Sequence, residues 1–232
     1  MQMIHFLWPS WRPILVPTVK LDTNLLGRRA ARNGWYLAEL IRHIPRACPV
    51  CLIGHSHGAR VVASALHLMG GGVVQGVSHP HARANGRLIR TVFAASAVRH
   101  DWLNPGERYG RALCTASAVI NLRNRHDAAL LLYPLRHLFS GHSLGTAGFT
   151  QRDRSEMRGW SSKAREYDVT PLVGHRHMWP RYLEHKQLAT LIRNYVFFPD
   201  VQQSGLISSA QLSDPAIEHQ SADRSGFVDD SG

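Results

Sequence analysis

The sequence predicts an α/β protein, a three-layer α/β/α sandwich on a mostly parallel sheet. Three observations predict it. Short apolar runs alternate with helical patterns or long crossings. Residues 50–53, Val-Cys-Leu-Ile, read as a strand buried in such a sheet. That run passes through a glycine-flanked turn directly into an Ala/Val/Leu-rich helical stretch.

The elements follow in order. Residues 3–8 are an apolar run stopped by Pro9-Ser10, which reads as a first strand. Residues 9–26 hold Pro9, Pro13 and Pro17 and read as a crossing loop. Residues 28–44 place Ala30, Ala31, Leu37, Ala38, Leu40, Ile41 and Ile44 at helical spacing, ended by Pro45. Residues 49–54 are the buried strand. Residues 59–69 are a helix that stops at Gly70-Gly71-Gly72. Further strands are expected over 88–98, 116–122 and 167–173. Short helices are expected over 103–112 and 127–138, the latter broken at Pro134. A loop marked by Gly141, Gly145 and Gly148 follows, and a last helix spans 179–195 with Leu183, Leu188, Leu191 and Ile192 on its apolar side. The organisation expected is one domain over 1–198 and a disordered acidic tail over 199–232.

Composition excludes several classes. The chain has 232 residues and a formal charge of +11, with 27 Lys and Arg against 16 acids; 24 of the 27 are arginine. The tail from 201 onward carries Arg224 against five acids, a net of −4, which leaves +15 for the rest. The arginines are scattered and match no nucleic-acid-binding signature, so no nucleic-acid partner is expected. Three cysteines cannot build a disulfide framework. The Cys48-x-x-Cys51 pair leads into a strand instead of opening a helix, which favours buried thiols over redox chemistry. No metal-ligand spacing is present, and neither a metal nor an organic cofactor is expected. No apolar run approaches the length of a membrane span, and the first residues lack a basic segment ahead of a long apolar one. A cytoplasmic protein is the expectation.

The chemistry sits in Gly54-His55-Ser56-His57-Gly58, a G-x-S-x-G between strand and helix. That context is the one in which a sharp turn lifts a serine hydroxyl above the sheet as a nucleophile. Close approach of strand and helix calls for small residues at 54 and 58. The His57 N–H, at the head of the helix, is the expected oxyanion donor. His55 is expected to pack or to hydrogen-bond the elbow. A second match, Gly141-His142-Ser143-Leu144-Gly145, lacks a clear strand before it or a helix after it. Ser143 is therefore the runner-up nucleophile only. The acid expected is Asp127, beyond the strand that ends near residue 122, with Asp101 as its rival. Asp168 is set aside because it opens the expected last strand. Either Asp101 or Asp127 could also serve as a helix cap. The base expected is His175 in Gly174-His175-Arg176-His177, with His177 as the alternative. Trp8 and Ser10 line the cleft if the first strand neighbours the elbow.

These features together resemble the α/β-hydrolase superfamily, and most of all bacterial esterase/lipase-like serine hydrolases of uncharacterised function. The segments that carry the resemblance are FLWPS at 6–10, LIGHSHGARVV at 52–62, VFAASAVRHDW at 92–102, NLRNRHDAAL at 121–130 and DVTPLVGHRHMW at 168–179. The resemblance covers roughly residues 1–195 and implies a reduced α/β-hydrolase fold. It implies a triad of Ser56, Asp127 and His175 acting on a small-molecule acyl substrate. Such relatives carry strands ahead of the W-P-S segment, whereas two residues precede Met3 here, so a shortened amino terminus is expected. The alternative function is a catalytically inactive binding or structural protein of the same fold.

Overall fold

The computed structural model describes residues 2–8, 19–80, 86–136 and 141–198. The chain divides at Phe197/Phe198, and every described helix and strand lies in the first unit, Met1–Phe197. The tail expected over 199–232 lies outside the described residues, as does Ser10.

Four parallel strands form the central sheet in the order β1-β4-β5-β6. They are β1 (Val50–His55), β4 (Ile89–Ala94), β5 (Ala118–Arg123) and β6 (Ala164–Asp168). Two two-residue strands, β2 (Val73–Val74) and β3 (Val77–Ser78), make a separate antiparallel hairpin. Both faces of the sheet are covered, as side-chain alternation requires. Val50 and Leu52, Ile89 and Phe93, and Val119 join one apolar cluster with α1 (Val19–His43) and α2 (Gly58–Met69). Cys51, Val92, Ala94, Ile120 and Leu122 join a second cluster. Its outer layer is α4 (Ala128–Leu131), α8 (Thr170–Val173), α9 (Pro180–Glu184) and α10 (Lys186–Phe197).

Helix α2 is buried from Ala59 to Met69, which explains why its residues are mostly apolar, with Arg60, Ser64 and His67 the buried polar ones. Small residues let α1 approach it closely. A Cβ on Gly34 would collide with the Ser64 side chain, and the Ser64 hydroxyl donates to the Ala31 carbonyl.

Several expectations are corrected. Residues 2–8 form no strand; Met3, Ile4 and Leu7 are exposed, while Phe6 and Trp8 lean on the first cluster. Among the described residues β1 is therefore an edge strand, paired with β4 alone. Trp8, expected to line the cleft, is half-buried against the first cluster. The first helix starts at Val19, well inside the expected loop, because no proline follows Pro17 in that stretch. The last strand is Ala164–Asp168, three residues earlier than expected, and Thr170–Val173 is a helical turn with Pro171 in its first turn. Residues 103–111 are turns, with only α3 (Ala112–Thr115) helical. The last helical stretch is two helices, interrupted at His185.

Candidate active site

Parallel strands end at the same side of a sheet, so residues just past β1, β5 and β6 gather along one edge. Ser56 follows β1 directly. Its φ of 53° lies in the left-handed region, which a non-glycine residue occupies only under constraint. The constraint is visible. Ser56 N–H donates to the Ala94 carbonyl at 3.0 Å, and the Ser56 carbonyl accepts from Ala59 at 3.1 Å and Ala97 at 3.2 Å. Gly54 is needed because a Cβ there would sit 2.7 Å from Ala59 Cα. Gly58 is different: a Cβ there meets nothing within 4 Å, so the steric requirement expected at 58 does not hold. His57 stands at the N-cap of α2, next to the serine.

Asp127 follows β5 and is fully buried. It caps a helix, as the sequence allowed, and also meets a histidine. Its Oδ1 accepts from Ala129 and Leu130 N–H, each at 3.1 Å, and so caps α4. Its carboxylate also accepts from a histidine, and that histidine is His177. His177 Nδ1–H donates to Asp127 Oδ2 at 2.8 Å and Oδ1 at 3.0 Å. The Ser56 hydroxyl donates to His177 Nε2 at 3.0 Å. One imidazole thus spans the serine and the carboxylate.

The imidazole between serine and carboxylate is thus the alternative His177 and not His175, the residue expected there. His175 is exposed and stacks on His126, with ring centroids 5.4 Å apart and planes at 19°. The cause is local. After β6 the chain makes the α8 turn and passes Gly174 at φ 63°, and two more residues are needed to bring a side chain back over Asp127. The runner-up carboxylate Asp101 is paired with Arg99 in a bidentate contact and has no contact with either histidine. Asp168 ends β6, instead of opening the last strand, and is paired with Arg123 at 3.1 Å and Arg125 at 3.0 Å.

Ser143 is a packing residue. It is buried, its φ of −72° is ordinary, and its hydroxyl bonds Thr146 Oγ1 at 2.9 Å. A four-residue helix, α6 (Leu144–Ala147), does follow it. A Cβ on Gly145 would fall 2.6 Å from Ser96 N. Gly145 N–H donates to Ser96 O, and its carbonyl accepts from Asn124 N–H. The second G-x-S-x-G therefore wedges between the loops that follow β4 and β5.

Three residues without a motif of their own support the site. Asn124 is buried, and its Nδ2 donates to the Gly174 carbonyl at 2.7 Å and the Arg176 carbonyl at 3.4 Å. Arg60 is buried behind the elbow, where it donates to the Ala97 carbonyl and the Tyr133 hydroxyl. Asn121, inside β5, holds the Leu144 carbonyl at 2.9 Å. An Asn just past a strand is the one legible signal among these. His55 bonds the base loop instead of the elbow: its Nε2–H donates to the His177 carbonyl at 2.7 Å. Burial lowers the pKa of His55, and the bond to His177 only partly offsets this. Burial likewise pushes the Cys51 thiol up to about 12, which removes it as a nucleophile near neutrality.

Among the described residues no group of three or more His, Cys, Asp or Glu is placed to hold a metal ion. No helix among them is long and apolar enough to cross a membrane. No family model matches the chain, and no curated protein or solved structure matches it.

Proposed function

We propose that this protein is a serine hydrolase of the α/β-hydrolase kind, cleaving a carboxylic ester through an acyl-enzyme. One observation carries the reading: the hydrogen-bonded chain from Ser56 through His177 to buried Asp127, with the serine on a constrained turn between strand and helix. The left-handed backbone that Ser56 maintains, a costly conformation for a non-glycine residue, supports the reading.

In the proposed reaction Ser56 Oγ attacks the carbonyl carbon while its proton passes to His177 Nε2. Asp127 holds the tautomer that leaves Nε2 free to accept and stabilises the imidazolium that forms. The carbonyl oxygen takes on negative charge beside the head of α2, where the His57 N–H is the proposed donor. The intermediate collapses by breaking the bond to the alcohol oxygen, which takes the proton from His177. Water then attacks the acyl-serine, gives its proton to His177, and releases a carboxylic acid as Ser56 regains its hydrogen. These steps call for no metal or cofactor.

A fluorophosphonate probe with p-nitrophenyl acetate and butyrate as substrates tests the proposal. Labelling at Ser56 and loss of turnover in Ser56→Ala are expected. Absence of labelling and turnover in the folded chain would instead favour the inactive binding protein. Turnover unchanged in Ser56→Ala would reject Ser56 as the nucleophile.

A further inference from the structure

We propose that His55 is a positioning residue that ties the nucleophile's strand to the loop carrying His177 and thereby sets the reach between His177 and Ser56. The kinetic part rests on the hydrolase reading; the geometric part does not.

Four consecutive carbonyls, from Gly174 to His177, all accept hydrogen bonds. Asn124 Nδ2 holds those of Gly174 and Arg176, Ala128 N–H holds that of His175 at 3.3 Å, and His55 Nε2–H holds that of His177 at 2.7 Å. The first three donations come from the segment after β5, the same segment that carries Asp127. They index the loop to the acid. Only the His55 bond comes from β1, whose last residue is His55, directly before Ser56. It therefore indexes the base to the nucleophile.

The His55 ring is well held for this purpose. Its centroid lies 5.1 Å from that of His177, 6.2 Å from Trp179 and 6.4 Å from Tyr182. Packing of this kind restricts the rotamer, so a short bond from Nε2 translates into a defined position of the His177 backbone. Removing the donor leaves a part-buried carbonyl without that partner and the loop anchored on the acid side alone. The His177–Asp127 contact should survive, while the Ser56–His177 contact loosens. Small losses of reach in a reacting pair carry large rate penalties.

The experiment compares His55→Leu and His55→Gln in the full chain. Gln offers an amide N–H near the position of Nε2; Leu does not. The first readout is the 15N shift of His177 Nε2, which reports whether it accepts from Ser56, with Ser56→Ala as the reference for a lost bond. In His55→Leu the shift should move to the Ser56→Ala value, while the His177 Nδ1–H resonance persists. His55→Gln should stay near wild type. The second readout is ester turnover: kcat falling about 10- to 100-fold in His55→Leu, KM changing little, and recovery in His55→Gln. A wild-type Nε2 shift in folded His55→Leu overturns the proposal, and so does a Gln variant that resembles Leu. If wild type fails to turn over ester, the hydrolase reading falls, and the Nε2 shifts still decide the role of His55.

Discussion

Replacing Asp127 by Asn separates folding from chemistry at one atom. Asp127 Oδ1 caps α4 through two N–H donors at 3.1 Å, and Oδ2 accepts from His177 Nδ1–H at 2.8 Å. Asn retains the capping oxygen, and Asn is as good an N-cap as Asp, so the change in stability should stay within about 1 kcal/mol. On the other side the carboxylate oxygen becomes an NH2 group. Two donors then face each other, and the imidazole is driven to carry its proton on Nε2 instead. That tautomer cannot accept the Ser56 proton at 3.0 Å. In triads of this kind the wrong tautomer costs about 10⁴-fold in turnover, equivalent to roughly 5.5 kcal/mol at 1.36 kcal/mol per tenfold. Asp127→Ala loses the cap as well and should lower stability by a further ~1 kcal/mol. Urea unfolding midpoints and p-nitrophenyl ester kinetics on the two variants are the assay. If Asp127→Asn kept more than about a tenth of wild-type turnover, against the 10⁴-fold loss argued from the tautomer, the assignment of Asp127 as orienting acid would be refuted.

The remaining predictions concern separate atoms. His177→Ala should abolish ester turnover, by about 10³-fold or more, whereas His175→Ala should retain most of it, since the His175 ring stacks on His126 while His177 bonds both Ser56 and Asp127; equal losses would undo the assignment of the base. Ser143→Ala should cost about 1 kcal/mol through its bond to Thr146 and leave fluorophosphonate labelling intact. Gly54→Ala should destabilise by about 1–3 kcal/mol, because strand and helix must separate, while Gly58→Ala should be tolerated in urea midpoint. Asp153 is held below its ordinary pKa of 3.8: burial opposes this, but hydrogen bonds from Thr150, His100 and Asn104 prevail. A depressed carboxyl stabilises the fold above its unfolded pKa and loses that contribution as pH falls through the folded value. The stability gap between wild type and Asp153→Asn should therefore be largest near pH 7 and shrink below about pH 4; a gap independent of pH would count against the argument.

The elbow is readable in the sequence because its signal is local. A strand, a tight turn and a helix are specified within residues 50–69, and the resulting strain falls on the residue the motif names. Asp127 is readable for the same reason, as a carboxylate one short turn past a strand. His177 yields to His175 in a reading by sequence because the expected last strand runs to residue 173, and the helical turn at Thr170–Val173 changes where the chain emerges. Spacing along the chain does not report such a turn. The fate of residues 3–8 is illegible for a different reason. An apolar run becomes a strand only where another strand offers hydrogen bonds, and pairing is not a property of the run. Gly58 shows the same limit, since its requirement is inferred from a motif and the space around it is open.

The order of the sheet explains why the site needs supports the motifs do not mention. Ser56 follows β1 and Asp127 follows β5, with β4 between them. Two strand spacings amount to about 9.5 Å, too far for a direct bond. An imidazole with a hydrogen bond at each end can cover that gap only if its backbone is placed from both sides. The loop after β4 occupies the ground between, and it is held too: Ala97 N–H meets the Ser56 carbonyl, and Arg60 holds the Ala97 carbonyl from below. Asn124 and Ala128 place the histidine relative to the acid, and His55 places it relative to the serine. A carboxylate or serine can sit at a strand end by chance. Four carbonyls in a row, each with a donor within three residues of Ser56 or Asp127 along the chain, make the loop's position follow from the strands beside it.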